Sequence, residues 1–191
     1  MIHLRGASAG RGTSLIEVLV TIVIVTIGLL GLAGLQQRMQ LSEMESYQRV
    51  QALVLLNDMA NRIEVNRGRA AEYLTTAGPL GTGMTCSTRP VTRPELDAAE
   101  WCQSLQGAAE ISSTGDKAGA MLGGRGCVEA LPDNEYMITV AWQGLSPVSS
   151  PPTSVACGRG AYDEEGSACF HDRCRRVVTT IIRIASLSGP S

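Results

Sequence analysis

Residues 18–37 contain no charged side chain, and this run limits what the chain can become more than any other feature. Twenty helical residues span about 30 Å, the thickness of a bilayer's hydrocarbon core. Arg5 and Arg11 stand ahead of the run with no acid among residues 1–12. Basic residues in that position favour keeping their end in the cytoplasm. A secretory signal would carry a shorter apolar region ending at a small-residue cleavage site. Here the apolar run continues past any such point. Glu17 stands at its edge, and a carboxylate buried there without a partner costs several kcal/mol. It is either an interfacial boundary residue or a group that requires a partner.

After the apolar run the helical pattern continues without Gly or Pro over residues 38–66, which are rich in good helix formers. Val50, Leu53, Leu56, Ala60 and Ile63 recur at three- and four-residue spacing and predict one buried stripe. Arg38, Glu43, Glu45, Arg49, Asp58 and Arg62 supply the polar face. One helix is therefore expected over residues 13–66, near 80 Å long at about 1.5 Å per residue. Its first half belongs in a membrane or a protein core, and its second half covers a globular domain. Gly28, Gly31 and Gly34 lie three apart in the apolar half. Such spacing permits close helix packing and lowers local helicity.

Residues 68–125 are mostly turn-like, with a short helix expected over 94–107, where Pro94 fits the first turn and Leu96, Ala99 and Leu105 face inward. Strands are expected over 126–131, 135–143 and 175–185. In the second, Tyr136, Ile138, Val140 and Trp142 share a face; in the third, Val178, Thr180, Ile182 and Ile184 do so. Pro132, Asp133 and Asn134 make a turn that pairs the first two as a hairpin. Residues 144–174 carry three prolines and three cysteines and read as a long stapled loop. One helix laid on a small antiparallel sheet is an α+β fold.

The six cysteines, Cys86, Cys102, Cys127, Cys157, Cys169 and Cys174, all lie outside the apolar run. An even count in the part that would be exported reads as a disulfide set in an oxidising compartment. Closeness in sequence favours Cys86–Cys102 and Cys169–Cys174. Cys157–Cys174 would instead close the long loop.

A basic leader ending in Gly12, then Thr13-Ser14-Leu15-Ile16-Glu17, then an uncharged run of Val, Ile and Leu resembles the class III signal of type IV prepilins and pseudopilins. The resemblance implies cleavage by a membrane prepilin peptidase between Gly12 and Thr13, and N-methylation of Thr13. It also implies that Glu17 pairs with the N-terminal amine of a neighbouring subunit during assembly. The one departure is Thr13, where the family usually carries Phe or Met. Three segments follow: a leader at 1–12, a membrane or filament-core half of the helix at 13–37, and a periplasmic pilin domain at 38–191. The runs at 55–63, 126–128, 136–142 and 176–180, with the Trp101 region, resemble the PilV family of minor pilins. That resemblance implies a low-abundance subunit that joins other minor pilins and the major pilin in a complex that primes assembly. Such a complex sits at the pilus tip and can help present an adhesin. The chain would start as a single-pass inner-membrane protein with its C-terminal domain in the periplasm, and end at the cell surface. A pseudopilin of a type II secretion system is the alternative within the class.

Other classes of function find little support. No nucleophile, metalloprotease or phosphate-loop motif is present, so neither enzymatic activity nor a cofactor is expected. His171 lies between Cys169 and Cys174, but that spacing is not a standard zinc pattern, and no metal is expected. A pilin for DNA uptake would need a basic surface. Arg159, Arg173, Arg175 and Arg176 form a modest cluster, yet the 16 basic side chains fall to 14 when Arg5 and Arg11 leave with the leader, against 18 acidic, a net of −4. Nucleic acid is not an expected partner.

Overall fold

The computed structural model describes residues 14–107 and 121–185. Helix α1 runs over Leu15–Val65 without interruption, as the absence of proline and the run of strong helix formers require. It passes through two units that divide between Glu43 and Met44. In the first unit every described residue is exposed.

In the second unit α1 leads into an irregular 3-10 segment over Arg67–Tyr73, then into the two-residue strand β1 at Leu80–Gly81. Helix α2 covers Arg93–Leu105. Its start is set by a capping box: the Thr92 hydroxyl accepts from the Glu95 N–H, and the Glu95 carboxylate accepts from the Thr92 N–H. Hydrogen bonds from the Val91 and Thr92 N–H groups hold the Glu95 carboxyl below its usual range. Strands β2 (Arg125–Leu131), β3 (Glu135–Gln143) and β4 (Arg175–Arg183) complete an antiparallel sheet in the order β1-β2-β3-β4. The β2–β3 turn closes with a hydrogen bond from the Glu135 N–H to the Pro132 carbonyl. Asp133 and Asn134 take φ of 61° and 56°, a type I′ arrangement these two residue types tolerate.

The core forms between α1, α2 and one face of the sheet: Ala52, Leu56, Met59, Ala60 and Ile63 meet Trp101, Leu105, Val128, Ile138, Val140, Trp142 and Ile182. The expected alternation of β3 and β4 therefore holds, with Tyr136, Val178 and Ile184 packed at the margin. The helix stripe differs from expectation. Val50 and Leu53 are exposed, and the buried face is Gln48, Ala52, Leu56, Met59, Ala60 and Ile63. Two alanines on that face let the helix approach the sheet, and small residues carry little weight in an apolar pattern. Leu96 is only partly buried, while Asp97, one residue on, is fully buried.

Trp101 packs against β2 at Gly126, where an added Cβ would fall 2.2 Å from the indole. Its Nε1–H donates to the Leu55 carbonyl at 2.9 Å, which fixes the ring between the two helices. Gly126→Ala is expected to destabilise this unit by about 3 kcal/mol, because neither a central strand nor a locked indole can yield cheaply. Denaturant titration of the full chain in detergent micelles checks this, and a loss under about 1 kcal/mol would contradict it.

The opposite face of the sheet is also covered. Residues 144–174 fold over it, and Cys127, Ala141, Cys157, Tyr162 and Val177 make a second small core there. The Tyr162 hydroxyl donates to the Gly123 carbonyl at 2.8 Å, and the Arg125 guanidinium sits 5.0 Å above its ring. Buried Arg175 donates to the carbonyls of Val155 (2.9 Å) and Cys157 (3.0 Å) and pairs with Asp172. The bridges are Cys86–Cys102, Cys127–Cys157 and Cys169–Cys174. Cys157 thus takes Cys127 and not Cys174, because the loop folds back across the sheet and brings Cys157 over β2.

Candidate functional site

Ser14 opens α1 by accepting the N–H groups of Glu17 (3.0 Å) and Val18 (3.2 Å) on its carbonyl. Glu17 thereby stands in the first helical turn, where the macrodipole favours a negative charge. It is exposed and has no ion-pair partner among the described residues. Leu15, Val18, Leu19 and Ile22 share an apolar face at the start of the same helix. Gly12 and Thr13, the expected cleavage and methylation positions, lie outside the described residues, as do His3, Arg5 and Arg11.

The apolar run that follows is exposed throughout, with Leu15 at 83% and Leu30 at 69% of their free areas. Its two threonines are satisfied within the helix. The hydroxyls of Thr21 and Thr26 donate to the carbonyls of Val18 (2.8 Å) and Ile22 (2.7 Å). Such back-bonded threonines present only methyl groups outward, which suits hydrocarbon surroundings. Gly28, Gly31 and Gly34 leave open notches in the surface: an added Cβ at any of them meets nothing within 4 Å. The helix is long and apolar enough to cross a membrane, and no part of its most apolar stretch is buried. Contiguous exposed apolar surface on this scale calls for lipid or protein cover.

Two polar clusters fix the second unit, and neither was marked by a motif. Glu45 on α1 accepts from the Leu145 N–H (3.1 Å), the Ser146 hydroxyl (3.3 Å) and Arg176 (3.1 Å), clamping the helix to the β3–β4 end of the sheet. The buried carboxylate of Asp97 receives Arg62 (2.8 Å), Arg93 (3.0 Å) and the Tyr73 hydroxyl (2.6 Å). Asp97 could have been found in the sequence, because Pro94, Asp97, Trp101 and Leu105 share the inward face of α2 at spacings of three and four. Glu45 carries no such signal, since its partners lie about a hundred residues away.

The basic cluster does not form one free patch. Arg175 is buried, Arg176 is committed to Glu45 and the Ser146 carbonyl, and Arg159 donates to the Thr153 carbonyl. Cys169 and Cys174 are joined to each other, which removes both thiolates that a metal beside His171 would need. Comparison with family models, with curated proteins and with solved structures finds no match to this chain.

Proposed function

We propose that this chain is a minor pilin of a type IV pilus, acting with other minor pilins in a membrane complex that primes assembly and remains at the tip. The observation that carries this reading is the exposed apolar helix headed by a carboxylate with no ion pair among the described residues, five residues after a glycine-ended basic leader. Cleavage after Gly12 creates an amine at Thr13, four residues before Glu17. A carboxylate and an amine that leave water together attract strongly, whereas either alone in hydrocarbon is costly. Glu17 then meets the amine of a neighbouring subunit as this helix enters the filament. The C-terminal domain stays outside, where its three disulfides persist.

Replacing Glu17 with alanine separates assembly from processing. The variant is expected to be cleaved normally, because the leader is intact, yet to fall by about tenfold or more in pili sheared from the cell, since the helix loses its charge partner. Unchanged incorporation would sink the proposed role of Glu17. Loss of protein secretion with normal pili would assign the chain to a type II secretion system instead.

A further inference from the structure

Helix α1 is held to the rest of the second unit unevenly along its length. From Leu55 onward the hold is apolar. Leu56, Met59, Ala60 and Ile63 are buried in the core, and the Trp101 indole N–H donates to the Leu55 carbonyl at 2.9 Å. Over residues 44–54 the buried face is only Gln48 and Ala52, while Met44, Tyr47, Val50, Leu53 and Val54 are exposed. Ala52 brings little apolar area. Gln48 works against docking, because its amide oxygen is enclosed and accepts no hydrogen bond among the described residues. An enclosed acceptor without a donor recovers its hydrogen bonds only when water reaches it.

What holds this stretch is Glu45. One of its carboxylate oxygens accepts from the Leu145 N–H, the Ser146 hydroxyl and the Arg176 guanidinium, at 3.1, 3.3 and 3.1 Å. Arg176 is braced in turn, since it also donates to the Ser146 carbonyl at 2.7 Å. It lies against Gly144, where an added Cβ would fall 2.5 Å from the guanidinium carbon. The polar grip is thus at one end of the stretch and the apolar anchor at the other, with weak burial between them.

We infer that residues 44–54 of α1 are a latched arm: once Glu45 lets go, they lift from the sheet as one piece, hinged at Leu55, while the rest of the unit stays folded. Local opening of this kind belongs to segments with little buried apolar area. An arm of about three turns without its support is a marginal helix in water, so its backbone amides exchange when it lifts. The device lies within the second unit and stands whether or not the chain is a pilin.

Amide exchange followed by NMR on the full chain in detergent micelles tests it. In the unaltered chain the amides of residues 49–54 are expected to exchange about tenfold faster than those of residues 60–63. Glu45→Ala removes the grip without lowering helix propensity, and is expected to speed residues 49–54 by a further factor of about ten while residues 60–63 and β3 keep their rates. Gly144→Ala leaves Glu45 in place but crowds Arg176 out of its position, and is expected to act in the same direction. Gln48→Met keeps the volume and removes the unsatisfied oxygen, and is expected to slow residues 49–54 by about fivefold. A clamp that only added to overall stability would speed every protected amide of the unit alike in the Glu45 and Gly144 variants. That result would overturn the inference. So would equal exchange along residues 49–63 in the unaltered chain, or a Gln48→Met variant that exchanges no more slowly.

Discussion

Asp97→Ala is expected to lower the stability of the second unit by about 3–5 kcal/mol, the cost of breaking a buried charge network by removing one partner. The carboxylate is fully buried and joins three elements. It receives Arg62 from α1, Tyr73 from the 3-10 segment and Arg93 from its own helix. Arg62 is shared further with Asp58 (2.9 Å) and Glu100 (2.6 Å), so the guanidinium would keep two partners. The Tyr73 hydroxyl would lose its only carboxylate partner, keeping Asn66 and a long 3.5 Å approach to the Arg62 carbonyl. A drop in melting temperature on the order of 10 °C is expected for a unit of this size. A drop of only 1 or 2 °C would mean that the network contributes little. The same site gives a pH dependence. Burial, then the hydrogen bond to Asp97, push the Tyr73 phenol well above its ordinary value. A folded-state value above the unfolded one contributes stability that is present below about pH 10 and lost as pH rises further, where the unfolded chain releases its proton first. Tyr73→Phe is expected to flatten the stability profile above about pH 10. An unchanged alkaline slope would contradict the assignment.

Removing the Cys127–Cys157 bridge, with serine at both positions, is expected to cost about 3–4 kcal/mol, against about 2 kcal/mol for removing Cys169–Cys174. The order follows from loop length, because the two bridges close separations of 30 and 5 residues, and a longer loop loses more freedom in the unfolded chain. Position acts in the same direction. Cys127–Cys157 holds the covering loop to β2, and the second core with Tyr162 and buried Arg175 depends on that placement. Cys169–Cys174 closes a surface turn in which His171 and Asp172 take positive φ. Guanidinium denaturation of the two double variants checks the ranking. Equal losses would show that the loop does not rely on its anchor to the sheet.

Much of this fold could be read in the residues, and its failures have physical reasons. The uninterrupted helix, the Pro132-Asp133-Asn134 turn and the alternation of β3 and β4 are local patterns that need no knowledge of the rest of the chain. The helix stripe was displaced because Ala52 and Gln48 face the sheet while Val50 and Leu53 do not, and small or polar buried residues weaken an apolar pattern. The Arg67–Tyr73 segment and β1 were missed because each is short and takes its shape from neighbours: Tyr73 from Asp97, Leu80 from Gly126. The long stapled loop over 144–174 was legible, but its course across the sheet was not, because that depends on a bridge between residues 30 apart. At the candidate site, Glu17 stood out as the acid at the N-terminal edge of an uncharged run, and the structure places it in the first turn of α1. The grip of Glu45 could not be read, since its partners meet it only once the sheet is formed.

The pilin reading depends most directly on how the chain is processed at its N-terminus. Intact mass and N-terminal sequencing of the membrane-extracted protein, made with and without its prepilin peptidase, test that step. The account predicts a chain that begins at Thr13 when the peptidase is present and keeps its leader when it is absent. A chain that retains Arg5 and Arg11 in both cases, or is cut beyond residue 35, would contradict it and leave an anchored or secreted α+β domain.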